Sequence, residues 1–472
     1  YIARLWRDGM LPFRDALDTK PPGIYVVYAL ADMLFGRNLW GYRLLDVFVA
    51  ALTVFPIRAL MRTAGNAPSW PLAYALYLTI YFVGNDFWNL SQAEFYISAL
   101  ALFFARWLFA YRAGGGDTWM FLAGLSLGCM VLLKQNYVLM GFLAAYVSFA
   151  SFRHKERDFA EAFRGLAIAA MASTIPFLLL ALYYMAHGAL DWFLYGMFRL
   201  PILYTRHNSL PAANWEFYDA TLLASIGFCF LFAGGVLDSA LRRNWFVLIF
   251  LGILTAMVAL QRKFWIYHII ALTPLFAVFI ALGKDYAVRL LTPYTGRRIA
   301  MGLLYLAILI NTTVVAVSVY NGSAPRLGTS NYYTGAWWNT AQYLRGAISQ
   351  RDYYRTFIGP FHSPASDLDM AAEISAVSKP GDTVMLYEFR PAVYVFADVR
   401  APHRFFNPTI LFIVGKTDRD RLLTELIEET YANNRPSIVL FGLEGMWTDP
   451  AFQQFSPERY EYDLVKDIDV GY

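Results

Sequence analysis

Charge is scarce in this sequence. Asp, Glu, Lys and Arg make up 16% of its 472 residues, where a soluble globular chain carries about 25%. Together with 58% hydrophobic residues, that deficit excludes an ordinary water-soluble domain and puts most of the chain in lipid. Cysteine is nearly absent. Cys129 and Cys229 both fall inside apolar runs, which excludes a disulfide framework and offers no metal-ligand spacing. The net charge of +4 is too small to suggest a nucleic-acid surface. There is no Gly-rich phosphate loop, nucleophile elbow or zinc motif, and the glycine run 114–116 reads as a turn. No signal peptide opens the chain. Its first residue is Tyr1 and the polar stretch to Lys20 has no anchor before it, so at least one further span is expected upstream.

What the sequence has in abundance is apolar runs. They recur at 41–60, 70–84, 92–112, 118–134, 136–152, 165–187, 219–238, 245–261, 265–283 and 299–320, about ten spans in all. Alternate connections carry the basic residues: Arg58 and Arg62; Arg106 and Arg112; Arg153, Lys155, Arg157 and Arg164; Arg242 and Arg243; Lys284, Arg289, Arg297 and Arg298. The positive-inside rule puts these on the cytoplasmic side. The opposite, outer side then receives the opening loop, 85–93, the turn 134–136, 188–218, 261–264 and everything after Tyr320. This parity holds only if the short run 24–35 does not cross. About a dozen residues is too few for a crossing of ~20, so the run reads as a juxtamembrane or re-entrant helix.

The expected architecture is a polytopic α-helical membrane protein with a soluble α/β domain at its C-terminal end on the outer face. Residues 1–40 form an outer loop with its juxtamembrane helix, and 41–320 the membrane body. Residues 321–334 are a Gly/Ser/Asn/Pro-rich connector, and 335–472 the α/β domain. In that tail, 367–378 and 418–432 read as helices, 382–387 and 437–441 as buried strands.

Candidate chemistry gathers at the outer ends of elements. The opening loop carries Asp15, Asp18 and Lys20, and Pro21 and Pro22 hold Lys20 extended. These residues suit either a solvated, turn-capping loop or a phosphate-binding one. Glu94 lies in Ser91-Gln-Ala-Glu94, which fits both a helix capping box and a carboxylate facing the outer aqueous space. Lys134 ends a span and is either a snorkelling lysine or a ligand. Arg262 and Lys263 sit on the side that the positive-inside rule disfavours, where a lipid phosphate would account for them. Tyr267 and His268 open the next span. Trp88, Trp192 and Trp265 are belt residues first and sugar-stacking platforms second. The sequence predicts that Lys20, Lys134, Arg262 and Lys263 share one cavity mouth with Glu94.

The segment from Asp8 through Lys20-Pro-Pro-Gly23 resembles the first outer loop of bacterial GT-C membrane glycosyltransferases. That group includes the protein mannosyltransferase-like, aminoarabinose, arabinofuranosyl and galacturonosyl transferases. The resemblance extends through Asn89 to Glu94, Leu133-Lys-Gln135, Arg262 to His268 with Pro274, and Lys379 to Leu386 with Ala392, Tyr394, Arg404 and Phe405 in the tail. It implies an inverting transfer of sugar from a polyprenyl-phosphate donor to a lipid, glycan or protein acceptor, at the periplasmic face of a bacterial inner membrane. It also implies that the principal catalytic carboxylate falls before Tyr1. Asp15, Asp18 and Glu94 are then the carboxylates present here, with Lys20, Lys134, Arg262, Lys263 and His268 toward the donor phosphate. No cofactor is specified, and a divalent metal requirement stays open. The competing classes are a membrane transporter, with charges near the middle of its spans, and a non-catalytic scaffold with a periplasmic binding domain.

Overall fold

The computed structural model describes residues 1–36, 39–82, 85, 89–207, 226–261, 266–320, 331–357, 364–387, 390–407, 421, 422, 424–426, 428, 429 and 438–441. Helix dominates. The first nine helices are α1 Ile2–Arg7, α2 Gly23–Phe35, α3 Leu39–Leu52, α4 Val54–Thr63, α5 Trp70–Phe82, α6 Ala93–Arg112, α7 Asp117–Leu133, α8 Gly141–Arg153 and α9 Phe159–Ala186. The chain divides into two compact units: residues 1–29, 184–209 and 334–472, and residues 30–183 and 210–333.

The second unit is the helical body. Among the described residues four helical stretches are long and apolar enough to cross a membrane: Gly41–Thr63, Ala93–Arg112, Phe159–Ala186 and Tyr267–Thr295. At 1.5 Å per residue, the 20 residues of α6 cover about 30 Å, the thickness of the hydrocarbon layer. The 13 residues of α2 reach only about 20 Å, too short to cross. Further apolar helices of 10–17 residues occupy Asp117–Leu133, Gly227–Leu241 and Trp245–Leu260.

Breaks in the helices follow the local chemistry. The first run divides at Thr53, because Pro56 brings no N–H for the carbonyl of Leu52 and its ring crowds that position; the Thr53 hydroxyl donates instead to Ala50 (2.6 Å). The run 136–152 is a 3-10 turn, Gln135–Met140, followed by α8. Pro274 starts a helix, Thr273–Thr295, near the end where a missing N–H costs nothing.

Close approach of backbones sets the packing. A Cβ on Gly124 would lie 2.2 Å from the Ala169 carbonyl oxygen, and one on Gly128 2.3 Å from that of Ser173. Gly124-x-x-x-Gly128 of α7 therefore lets α9 pass at backbone contact, the small-residue packing that lipid-embedded helices rely on. Gly235 and Gly283 do the same for the pair Ile226–Leu241 and Thr273–Thr295, where added Cβ atoms would sit 2.0 and 1.7 Å from opposing carbonyls. The far side of α9 leaves Phe163, Met171, Leu178, Leu179 and Leu182 exposed, as a lipid-facing surface does. Gly128→Leu is expected to abolish the monodisperse fold in detergent, whereas Leu179→Ala on the exposed side changes thermal stability by under about 1 kcal/mol; size-exclusion profiles and melting curves check both.

The first unit joins the opening loop to the tail. Tyr1 stacks on Tyr394 (centroids 4.7 Å) and makes a tilted ring contact with Phe406 (4.9 Å). Its hydroxyl accepts from the Ala401 N–H at 2.8 Å, and burial pushes that phenol up to about 12. Strand β1, Val384–Tyr387, pairs in parallel with β2, Ile438–Phe441, in register Val384 to Ile438. A helix Pro364–Val377 precedes β1 and another, Pro391–Phe396, follows it. The expected helix 418–432 and the expected connector 321–334 lie mostly outside the described residues, as does everything after Phe441, and the last residues of that connector open a helix, Asn331–Leu344. His403 is buried beside Arg404, and both burial and that cation push it down to about 3. It is a neutral core imidazole at working pH.

Candidate active site

In the first unit the opening loop is fixed by its own polar side chains. Phe13 takes a left-handed backbone (φ 70°) and is fully buried. It lies against Gly196, where any Cβ would fall 2.4 Å from its ring. Asp15 accepts the Leu11 N–H (2.6 Å) and a two-pronged contact from Arg14 (2.9 and 2.7 Å). Asp18 accepts the Thr19 N–H at 2.6 Å and the Tyr25 hydroxyl at 2.9 Å. Burial, with Asp18 beside it, pushes the Tyr25 phenol well up, so Tyr25 remains a donor. The Leu17 N–H donates to the Arg404 carbonyl at 2.8 Å, tying the loop to the tail. The result is a rigid loop that carries Lys20, half-buried, between Thr19 and the two prolines.

In the second unit a buried carboxylate meets two polar partners. Glu94, in the first turn of α6, is 2% exposed. Its Oε1 receives the ammonium of Lys134 and lies 3.8 Å from His268 Nε2. Lys134 ends α7 in extended backbone (φ −164°, ψ 118°), which turns its side chain from the helix to Glu94 and to the Gln261 amide oxygen. Gln261 and Asn136 are anchored in turn by donating to the Met257 carbonyl, at 3.2 and 2.9 Å. His268 is buried, in edge contact with Tyr267 (centroids 4.6 Å).

Three predicted site residues from distant parts of the sequence, Glu94, Lys134 and His268, are thus brought together. Asp15, Asp18 and Lys20 belong to the other unit. Arg262 and Lys263, with Trp88 and Trp265, lie outside the described residues. Among the described residues no group of three or more His, Cys, Asp or Glu is placed to hold a metal.

The capping-box alternative for Glu94 is not realised. Helix α6 begins after Gln92 with no side-chain cap bond, and the Ser91 hydroxyl donates to Asp46 at 2.7 Å instead. Asp46, in α3, is a polar centre that sequence inspection passed over. The signal was available: an acidic residue within an apolar run is costly in lipid and calls for a partner or a function. Gln261 was missed too, and only its place at a span end would have marked it.

Residues 19–180 match the profile of the family described as dolichyl-phosphate-mannose-protein mannosyltransferase. Among solved structures, ArnT from Cupriavidus metallidurans bound to undecaprenyl phosphate aligns with a TM-score of 0.56 and 15% identity, over 85% of this chain and 79% of that one. Its apo state aligns at 0.52 and 14%, with the same coverage. The chain has the GT-C fold. The archaeal oligosaccharyltransferase AglB from Archaeoglobus fulgidus matches more loosely, with a TM-score of 0.44 and 12% identity over 88% of this chain and 61% of that one. No curated protein matches the sequence significantly. The family match takes in the opening Lys20-Pro-Pro-Gly23, the turn before α6, and the Glu94 and Lys134 positions.

Proposed function

We propose that this chain transfers a sugar from a polyprenyl-phosphate donor to a hydroxyl of a lipid, glycan or protein acceptor, with inversion at the anomeric carbon. The observation that carries the reading is Glu94, a buried carboxylate at the start of a span, held by Lys134 and His268 within a GT-C body. In this reading Glu94 takes the acceptor proton as the acceptor oxygen bonds to the anomeric carbon. The bond from that carbon to the phosphate oxygen breaks in the same step, and polyprenyl phosphate leaves with the electron pair. Both described contacts to Glu94 fall on Oε1, so the proton goes to Oε2. Lys134 serves Glu94 and not the phosphate. Lys20, with Arg262 and Lys263, is assigned to the donor phosphate. Asp15 and Asp18 keep the Lys20 loop in shape.

The undecaprenyl phosphate named in the ArnT structure supports a lipid-phosphate ligand of that class. We place the chain in a bacterial inner membrane with α2 lying along it, and Glu94 and the α/β tail facing the periplasm. The distribution of basic loops supports this orientation.

The test is release of undecaprenyl phosphate from a panel of undecaprenyl-phosphate-linked sugars by the purified protein with a membrane-extract acceptor. Release with at least one sugar supports the reading; no release with any would favour a transporter or scaffold. A charge-assisted contact to phosphate is worth roughly 1.5–3 kcal/mol. Lys20→Gln is therefore expected to weaken undecaprenyl phosphate binding about ten- to a hundredfold, measured by titration in nanodiscs. Unchanged affinity would remove Lys20 from the phosphate site.

A further inference from the structure

We infer that Asp46 is a positioning residue for this reaction: a buried hub that holds the turn before α6 in a strained form and so fixes Glu94. The inference rests on the reading of Glu94 as the general base. Asp46 lies in α3, inside a span, and its side chain is fully buried. Its Oδ2 accepts the Tyr81 hydroxyl at 2.9 Å and the Ser91 hydroxyl at 2.7 Å, and its Oδ1 accepts the Tyr96 hydroxyl at 2.7 Å. Arg43, one helical turn earlier, donates to the Ser91 hydroxyl oxygen at 2.7 Å and sits 3.8 Å from Asp46 Oδ2.

These partners surround one short stretch. Ser91 has a left-handed backbone, φ 59°, a conformation that side chains other than Gly avoid and that persists only where its surroundings impose it. The surroundings are on hand. The Ser91 hydroxyl is held by Asp46 and Arg43, and its backbone N–H donates to the Tyr81 hydroxyl oxygen at 3.0 Å. Tyr81 also stacks on Phe95 (centroids 4.0 Å, 13° between planes), itself fully buried. Glu94 lies between Ser91 on one side and Phe95 and Tyr96 on the other. All three answer to Asp46, directly or through Tyr81. Glu94 itself makes none of these bonds, so the network sets where the carboxylate stands and leaves its contacts to Lys134 and His268.

A merely structural role predicts that any loss of these bonds lowers stability in proportion to the bonds lost. A positioning role through the Ser91 turn makes a sharper prediction. Ser91→Ala and Ser91→Gly both delete the hydroxyl, but Gly adopts φ 59° without steric cost and Ala does not. The kcat of sugar transfer should fall about tenfold in Ser91→Ala, and much less in Ser91→Gly. Asp46→Asn leaves an Nδ2 that cannot accept, so the side chain loses either the Tyr96 hydroxyl or both the Tyr81 and Ser91 hydroxyls, according to which way the amide turns. Its kcat should fall about ten- to a hundredfold, the scale of a small misplacement of a catalytic group. Adding Ser91→Gly to Asp46→Asn should restore part of that loss. Affinity for undecaprenyl phosphate should stay within about twofold throughout, because binding and positioning are separate here.

Four outcomes decide it. Partial rescue of Asp46→Asn by Ser91→Gly, with donor-lipid affinity unchanged, supports the inference. Equal loss of kcat in Ser91→Ala and Ser91→Gly overturns it, and that pair decides even if Asp46→Asn fails to fold. A normal kcat in Asp46→Asn beside a collapsed kcat in Glu94→Gln overturns this inference alone. A normal kcat in Glu94→Gln removes the reading of Glu94 and this inference with it.

Discussion

Glu94→Gln is expected to lower the single-turnover rate of sugar transfer roughly 10²–10⁴-fold, the range typical for loss of a general base. Affinity for undecaprenyl phosphate should change little. The argument is one of shape and basicity. The amide has the size of the carboxylate, and its oxygen still accepts from Lys134, so the body around α6 is preserved. What it lacks is a site that takes a proton in water-like conditions. The competing view is that Glu94 and Lys134 form a structural ion pair that holds α6 to α7. Under that view the amide would keep most of the geometry and nearly all of the activity. A rate loss with a stable, donor-binding protein separates the two. Activity within about threefold of the parent would remove Glu94 from the chemistry.

Much of the helical body was legible because lipid demands it. A segment in hydrocarbon must satisfy its own backbone and present apolar side chains, so long runs such as Ala93–Arg112 announce themselves. The shortness of 24–35 was equally legible, since helix length per residue is fixed. The capping-box alternative failed for a reason invisible in a local pattern. Ser91-x-x-Glu94 satisfies the motif, yet the hydroxyl finds a charged acceptor in Asp46, 45 positions away. The hydroxyl donates to that carboxylate and its oxygen accepts from Arg43, and these charge-assisted bonds outweigh one accepted from a helix N–H. The meeting of Glu94 with Lys134 was foreseeable as a shared membrane face, and that with His268 was not. The actual pairing of Glu94 with Lys134 was not foreseeable either, because it depends on Lys134 leaving α7 in extended backbone. The tail was legible in part: β1 falls within the stretch 382–387 and β2 within 437–441, but their parallel pairing was not read from the sequence. That residues 1–29 and 184–209 share a compact unit with it was not legible, since nothing in a linear pattern ties Tyr1 to Tyr394.

Lys134→Met is expected to destabilise the helical body by about 3 kcal/mol, and Glu94→Gln in the same chain to restore most of that loss. Glu94 has a side chain only 2% exposed, while that of Lys134 keeps 23%. Removing the cation strands a carboxylate where water reaches it poorly. Breaking a buried pair in this way costs about 3–5 kcal/mol, and the partial exposure of Lys134 favours the low end. Replacing both members with neutral groups of similar volume is far milder, because no charge is left without its partner. The double variant should therefore unfold at a higher denaturant concentration than the single one. The same experiment tests the role of Lys134. As a phosphate ligand it would weaken undecaprenyl phosphate binding when lost, about ten- to a hundredfold, with little change in stability and no rescue by Glu94→Gln. As the partner that holds Glu94 it shows the reverse: loss of stability, rescue, and lipid-phosphate affinity nearly intact. Denaturation midpoints in mixed micelles and binding titrations on the two variants give both readouts. A Lys134→Met protein as stable as the parent would sink the pairing argument, and with it the picture of Lys134 as the group that keeps a charged Glu94 inside the membrane body.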